Sequence, residues 1–157
     1  MRHILRLNRT LQVQIAPIAH NFHFTSFDPS LHKQEWLDLN ILIFARHPDQ
    51  GNWAMADLEN RMHEPWFDSK GFFLAMEDKK IIGFCWTKIH NEFVNQDPIG
   101  ELYVIGVDPT HSGKGIGRAI CTQGLLYLKG LGIKEAILYV DDDNEAGKGL
   151  YESLGFH

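Results

Sequence analysis

The sequence predicts an α/β domain with a mixed sheet flanked by helices. Three observations lead there. Strand-like alternation and helical spacing trade places along the chain. A hairpin signal sits in the middle, and the clearest strand, GELYVIGV, runs straight into a glycine-rich turn that opens a helix.

Taken in order, residues 1–20 read as a leader or the remnant of a linker, and residues 21–157 as the domain. Within the leader, Leu11, Val13 and Ile15 alternate with Gln12 and Gln14, as in a short strand or the tail of something upstream. Phe22, Phe24 and Ser26 alternate in the same way. Asp28-Pro29 then supplies an N-cap and a proline at the first helical position. Trp36, Leu37, Asn40, Ile41 and Phe44 follow at helical spacing, which predicts a helix over 29–45. HPDQGN is a loop by its breakers, and a second helix over 53–63 ends before Pro65. Gly71 opens the strand FFLAM, EDKK turns the chain, and IIGFCWTKI returns as its hairpin partner. After a polar loop over 91–100 come GELYVIGV, a helix over 115–130, the strand AILYV, and a helix over 144–154 that Gly155 caps. No internal repeat or low-complexity segment interrupts this order.

Composition narrows the function. A chain of 157 residues with 44% hydrophobic and 22% charged side chains has the material for a buried core and one domain. A net charge of -5 without a Lys/Arg run speaks against a nucleic-acid partner. Cys85 and Cys121 sit in apolar settings and form no CxxC pair, which fits a reducing cytoplasm. Arg6, Asn8 and Arg9 interrupt the apolar residues at the start, so no signal-peptide core is present. No stretch approaches the roughly 20 apolar residues of a membrane span. The nine His residues are scattered, with no HExxH or comparable ligand set, so no metal is expected.

The chemistry concentrates between Val107 and Arg118. Glycines allow positive φ and close approach of a ligand to the backbone. Amides free at a helix start attract anions, and Lys114 and Arg118 add positive charge. The segment therefore reads as a phosphate cradle. It is not a Walker loop, because Gly106 is two residues too far from Gly113-Lys114 and Gly115 follows the lysine. Nor is it the dinucleotide fingerprint, because position 118 is Arg. What remains is the pair of alternate glycines in GKGIG after a V-x-P turn. A tight turn that serves packing alone is the other reading that spacing leaves open.

The stretch Ser112-Gly113-Lys114-Gly115-Ile116-Gly117-Arg118 resembles the pyrophosphate loop of the GNAT superfamily of acetyltransferases, Q/R-x-x-G-x-G. Gly115 and Gly117 match, and Ser112 stands where Gln or Arg is usual. Downstream, Asn144-Glu145-Ala146-Gly147-Lys148-Gly149-Leu150-Tyr151 and the following SLGF are similar to N-x-x-A-x-x-L-Y-x-x-x-G-F, with Gly147 in place of Ala. HPDQGNW, EPWFD, GFFLAM, GFCWTKIH, GELYVIGVDP and YESLGF resemble the C-terminal domain of the mycothiol synthase family over residues 20–157.

That resemblance implies the GNAT fold, a mixed and mostly antiparallel sheet flanked by helices. The last strand is expected to be missing, because the family continues beyond the GF at which this chain ends. It implies acetyl-CoA as co-substrate, no metal, and a small-molecule amine as acceptor: the cysteinyl amine of cysteinyl-glucosaminyl-inositol. Two domains in tandem are the family's rule, so a second GNAT-like domain or chain is the expected partner. Another small amine as acceptor, or a non-catalytic domain completed by a partner's strand, stay open as alternatives.

Site residues follow from the same resemblance. Glu101 is the expected general base and substrate contact, and Tyr151 the expected general acid toward the departing thiolate. Ile105, Gly106 and Val107 act through the backbone of a splayed strand, and residues 112–118 and 144–149 border the cofactor. Lys88 and Tyr139 match substrate-holding positions. His47, Asp49 and Gln50 form a polar loop that borders the acceptor site, without an assigned role. Neither cysteine falls in a motif for an acetyl-enzyme, so attack is expected to be direct.

Overall fold

The structure is a computed structural model that describes residues 3–47, 50–92 and 94–157. Its described residues form one six-stranded sheet in the order β1-β6-β5-β4-β3-β2. The strands are β1 (Ile4–Thr10), β2 (His23–Ser26), β3 (Phe72–Glu77), β4 (Lys80–His90), β5 (Ile99–Val107) and β6 (Glu135–Asp141). Every pairing is antiparallel except β5 with β6, which the crossover through a helix makes parallel.

Among the described residues, four α-helices accompany the sheet: α1 (Pro29–Ile43), α2 (Met55–Met62), α3 (Ile116–Gly130) and α4 (Glu145–Ser153). Asp28 caps α1, accepting from the Ser30 amide at 2.9 Å, with Pro29 in the first turn. β3 and β4 form the expected hairpin, and its two turn residues, Asp78 and Lys79, take positive φ of 50° and 65°.

The sheet is buried on both faces, which explains why β3 and β4 read as unbroken apolar runs. Trp36, Leu37, Trp53, Leu58, Phe72, Leu74, Phe84 and Trp86 build the core under α1 and α2. Phe73, Ala75, Cys85, Leu102, Ile120, Cys121, Leu125 and Leu128 build the other, under α3. Neighbouring residues of β3 alternate between the two cores, as the period of a strand requires.

The start of the chain joins the sheet. Residues 4–10, read as part of a leader, are β1, paired with β6 from Ile4 opposite Asp141 to Thr10 opposite Glu135. Leu5 and Leu7 pack on the α3-side core, and the intervening Arg6 points to solvent. Arg6 and Asn8, which appeared to interrupt an apolar run, are thus the other face of a strand, while Arg9 shares the face of Leu5 and Leu7 and donates to the Leu154 carbonyl. Leu11, Val13 and Ile15 are not in a strand. The Thr10 hydroxyl accepts from the Gln12 amide at 3.0 Å and turns the chain, while Leu11 is buried. β1 covers the outer edge of β6, and Asn8 exchanges two main-chain hydrogen bonds of 2.9 Å with His157.

Candidate active site

The site grows from an irregularity in β5. Trp86 of β4 faces Val104 and Thr87 faces Leu102, so Tyr103 is an extra residue that the ladder skips. On its other side β5 pairs with β6 at Gly100–Ala136 and Glu101–Ile137, and no further pairing is seen among the described residues. Beyond Glu101 the two parallel strands splay apart, and the inner edge of β5 over 102–107 is left without a ladder partner.

A cleft of about 280 Å³ opens in that splay. β5 lines it with Glu101, Tyr103, Val104 and Ile105, and β6 with Tyr139, Val140 and Asp141. Phe44 and His47 close it beyond α1, Ile4 comes from β1, and Asn144 and Tyr151 come from the α4 end. The fold therefore gathers Glu101, Ile105, Tyr139, Asn144, Tyr151 and His47 around one space, although they are scattered in sequence. Gly106 lies where β5 passes beneath α1. A Cβ there would come within 2.7 Å of the Phe84 ring and 2.9 Å of Ile43.

The glycine-rich turn continues from the end of β5. Asp108 shapes it by accepting from the Thr110 amide and hydroxyl, both at 2.9 Å. The amide bond to Thr110 holds the Asp108 carboxyl below its ordinary range, with smaller contributions from the Thr110 hydroxyl, Lys80 and His111. Gly113 and Gly115 have φ of 79° and 78°, and a Cβ on either would meet no atom within 4 Å among the described residues. The space in front of the turn is open. Among the described residues, no amide of residues 113–118 donates to another group of the chain. Open space, unspent amides and the start of the fifteen-residue α3 fit a diphosphate. Ile116 is buried, so its backbone alone faces the turn, and the Ser112 hydroxyl is spent on Pro109 at 3.1 Å. Arg118 donates to the Ser153 hydroxyl at 3.0 Å and ties α3 to α4. Lys114, Gly115 and Arg118 line a neighbouring hollow with His20 and Phe22.

At the start of α4, Asn144 is the N-cap and accepts from the Gly147 amide at 2.9 Å. That contact explains the glycine, since a Cβ at 147 would lie 2.5 Å from the Asn144 side-chain nitrogen. The Glu145 amide reaches Asp143 at 3.1 Å. Lys148 is already matched, with Glu145 at 3.1 Å and Asp142 at 3.2 Å, and these carboxylates raise its pKa, Glu145 first. Gly147 and Lys148 thus serve the helix first.

Tyr151 is a partly buried ring beside Phe156. Burial pushes its phenol well above the ordinary range, and the thiols of Cys121 and Cys85 add to the shift. Glu101 is a buried carboxylate, 6% exposed, whose Oε1 lies 2.7 Å from His90 Nε2. Sequence reasoning missed His90. The available signal was its place two residues after Lys88, on the same face of β4.

Lys88 does not line the cleft. Its ammonium lies 4.5 Å from the centre of the Trp66 ring and 5.2 Å from that of Tyr103, beside an adjacent hollow that also holds Phe67, Asn91 and Glu92. Glu101 is its register partner on β5. Of the polar loop, His47 reaches Asp141 at 3.3 Å across the cleft mouth; Asp49 and the Gln50 side chain lie outside the described residues. No group of three metal-ligating side chains occurs among the described residues, and none of their helices is long and apolar enough to cross a membrane.

Comparison with known proteins places this geometry in a family. The chain is 45% identical to a mycothiol acetyltransferase of Thermobispora bispora over 99% of its own length and 54% of that protein's. It is 48% identical to the Streptomyces avermitilis enzyme of the same name over 83% of its length and 41% of the relative's. The chain spans about half the length of the curated relatives it matches. Its fold is similar to that of a GCN5-related N-acetyltransferase from Sphaerobacter thermophilus, with a TM-score of 0.75, 23% identity, and 99% of this chain and 48% of that one covered. The Escherichia coli ribosomal-protein-S18-alanine N-acetyltransferase aligns with a TM-score of 0.70 and 22% identity, over 87% of this chain and 78% of that one. Residues 29–156 match the Acetyltransferase (GNAT) family, and the chain belongs to it.

Proposed function

We propose that this domain transfers the acetyl group of acetyl-CoA to the cysteinyl amine of cysteinyl-glucosaminyl-inositol. One observation carries the reading: the parting of β5 from β6 runs from Glu101 to a turn of unspent amides, with Tyr151 on the opposite wall. The relatives' name supports the choice of acceptor.

In this reading the amides of residues 113–118 hold the diphosphate, and the inner edge of β5 over 105–107 pairs with the pantetheine arm. Acetyl-CoA supplies the activated thioester. Glu101 binds the acceptor ammonium and takes its proton; an α-amine with a pKa near ~8 needs only modest help. Tyr151, held protonated by burial, donates to the departing thiolate. Tyr139 in the cleft offers a donor and acceptor to a polyhydroxylated acceptor, and Lys88 offers donors to the part of it that extends into the adjoining hollow. The cysteines stay buried in the core and take no part. A second GNAT-like domain or chain beside this one is part of the proposal, supported by the doubled length of the relatives.

The test is purified protein with acetyl-CoA and a panel of amines, read by mass spectrometry of the products. Acetylated cysteinyl-glucosaminyl-inositol is expected. Product formed from an unrelated amine alone would overturn the acceptor assignment, and no transfer to any amine would overturn the enzymatic reading.

A further inference from the structure

We infer that His90 is a positioning residue that fixes the carboxylate of Glu101 for its work on the acceptor amine; this rests on the reading of Glu101 as the base. Glu101 is nearly closed off from solvent, and a carboxylate so buried must be held by donors. Among the described residues His90 is the group that donates to it. An ionised carboxylate only accepts, so Nε2 carries the proton of that bond, and 2.7 Å lies at the short, charge-assisted end of the range.

The second ring nitrogen is engaged as well. Nδ1 lies 3.4 Å from Glu92 Oε1, on a side chain that is 60% exposed. The ring thus spans from a carboxylate inside the cleft to one at the surface, and as the imidazolium, with a proton on each nitrogen, it donates to both. Oε1 of Glu101 is committed to His90, and Oε2 is left for the amine.

Other polar groups near Glu101 do not take this role. Lys88, opposite on β4, lies over the faces of Trp66 and Tyr103. His47 and Asp141, across the cleft, engage each other at 3.3 Å. Tyr139 and Tyr151 face the same space, and no hydrogen bond from either hydroxyl to Glu101 is seen among the described residues.

The experiment compares wild type with His90→Phe, His90→Gln, His90→Asn and Glu101→Gln. Phenylalanine keeps the ring without its donor, glutamine places an amide nitrogen near the position of Nε2, and asparagine falls short of it. Readouts are kcat and KM for the amine, the acid limb of kcat/KM, and the Glu101 carboxyl titration followed by 13C NMR. His90→Phe should lower kcat by about tenfold or more while changing KM less, since the base is displaced rather than lost. Without the donor to its charged form, the Glu101 titration and the acid limb should both move to higher pH. His90→Gln should restore most of the rate, and His90→Asn should not.

Wild-type kcat and an unmoved Glu101 titration in His90→Phe, with Glu101→Gln inactive, would overturn the positioning role while sparing the base. Full activity in Glu101→Gln would overturn the base assignment, and this inference with it. Should His90→Phe fail to fold, equal rates in His90→Gln and His90→Asn would overturn the proposal.

Discussion

Arg61 and Tyr103 join α2 to the irregular point of β5. Arg61 Nε donates to the Tyr103 hydroxyl at 2.9 Å while its guanidinium lies 4.0 Å from the centre of the Trp53 ring. Tyr103 is the residue that the β4–β5 ladder skips, so this contact braces the bulge that opens the cleft.

Replacing Arg61 with Lys should loosen that brace. The flat guanidinium both stacks and donates, and an ammonium does not reproduce the pair. A stability loss of about 1 kcal/mol is expected in urea denaturation, the usual net worth of one such hydrogen bond. A severalfold rise in KM for the amine should accompany it. An unchanged KM would show that the brace does not reach the acceptor.

Gly115 tests the cradle. With φ of 78° and open space around it, an added methyl meets the backbone itself rather than a neighbour. Gly115→Ala should cost about 1–2 kcal/mol of strain, or relax and re-aim the amides that follow. Either way CoA should raise the melting temperature less in the variant than in wild type.

Tyr151 couples chemistry to alkaline stability. Tyr151→Phe should lower kcat by about a hundredfold and leave the CoA-induced melting shift in place. Its folded pKa is raised, so the stability it contributes is whole below the unfolded value near ~10 and drains away as pH climbs toward the folded value. Tyr127 behaves alike, raised first by burial and then by Asp68, to which its hydroxyl donates at 2.6 Å. Denaturation midpoints measured above pH ~10 should therefore fall less steeply in Tyr151→Phe and Tyr127→Phe than in wild type.

Gly124 tests the seating of α3 on the sheet. A Cβ there would stand 2.9 Å from Cys85 Sγ and 3.1 Å from Leu102, in a core with no exposed side to yield. Gly124→Val should destabilise by about 1–3 kcal/mol in thermal unfolding through overpacking.

Much of this architecture was legible in the sequence, for physical reasons. Asp28-Pro29 announced α1, the turn EDKK announced the hairpin, and Asn144 and Gly155 bracketed α4. β1 was not legible, because Leu5 and Leu7 gain their meaning only from the edge of β6 that they cover. The site divides in the same way. Glu101 and Tyr151 were named through a motif, and the structure brings both to one cleft. His90 and Tyr103 lie in the blocks GFCWTKIH and GELYVIGVDP without a role of their own there, and with Arg61 they gain one only when β4, α2 and β5 are set side by side. Lys88 is expected to hold the acceptor through the resemblance alone, and its aromatic neighbours place it beside a hollow that adjoins the cleft.

The central claim, that free amides of residues 113–118 and the inner edge of β5 receive the cofactor, can be examined residue by residue with 15N-labelled protein titrated with CoA. The amide resonances of Gly113, Gly115, Gly117, Ile105 and Val107 should move together and saturate at one ligand per chain, with β2 and the β3–β4 turn unmoved. Saturable shifts confined to other parts of the sheet, or none at all, would contradict the account.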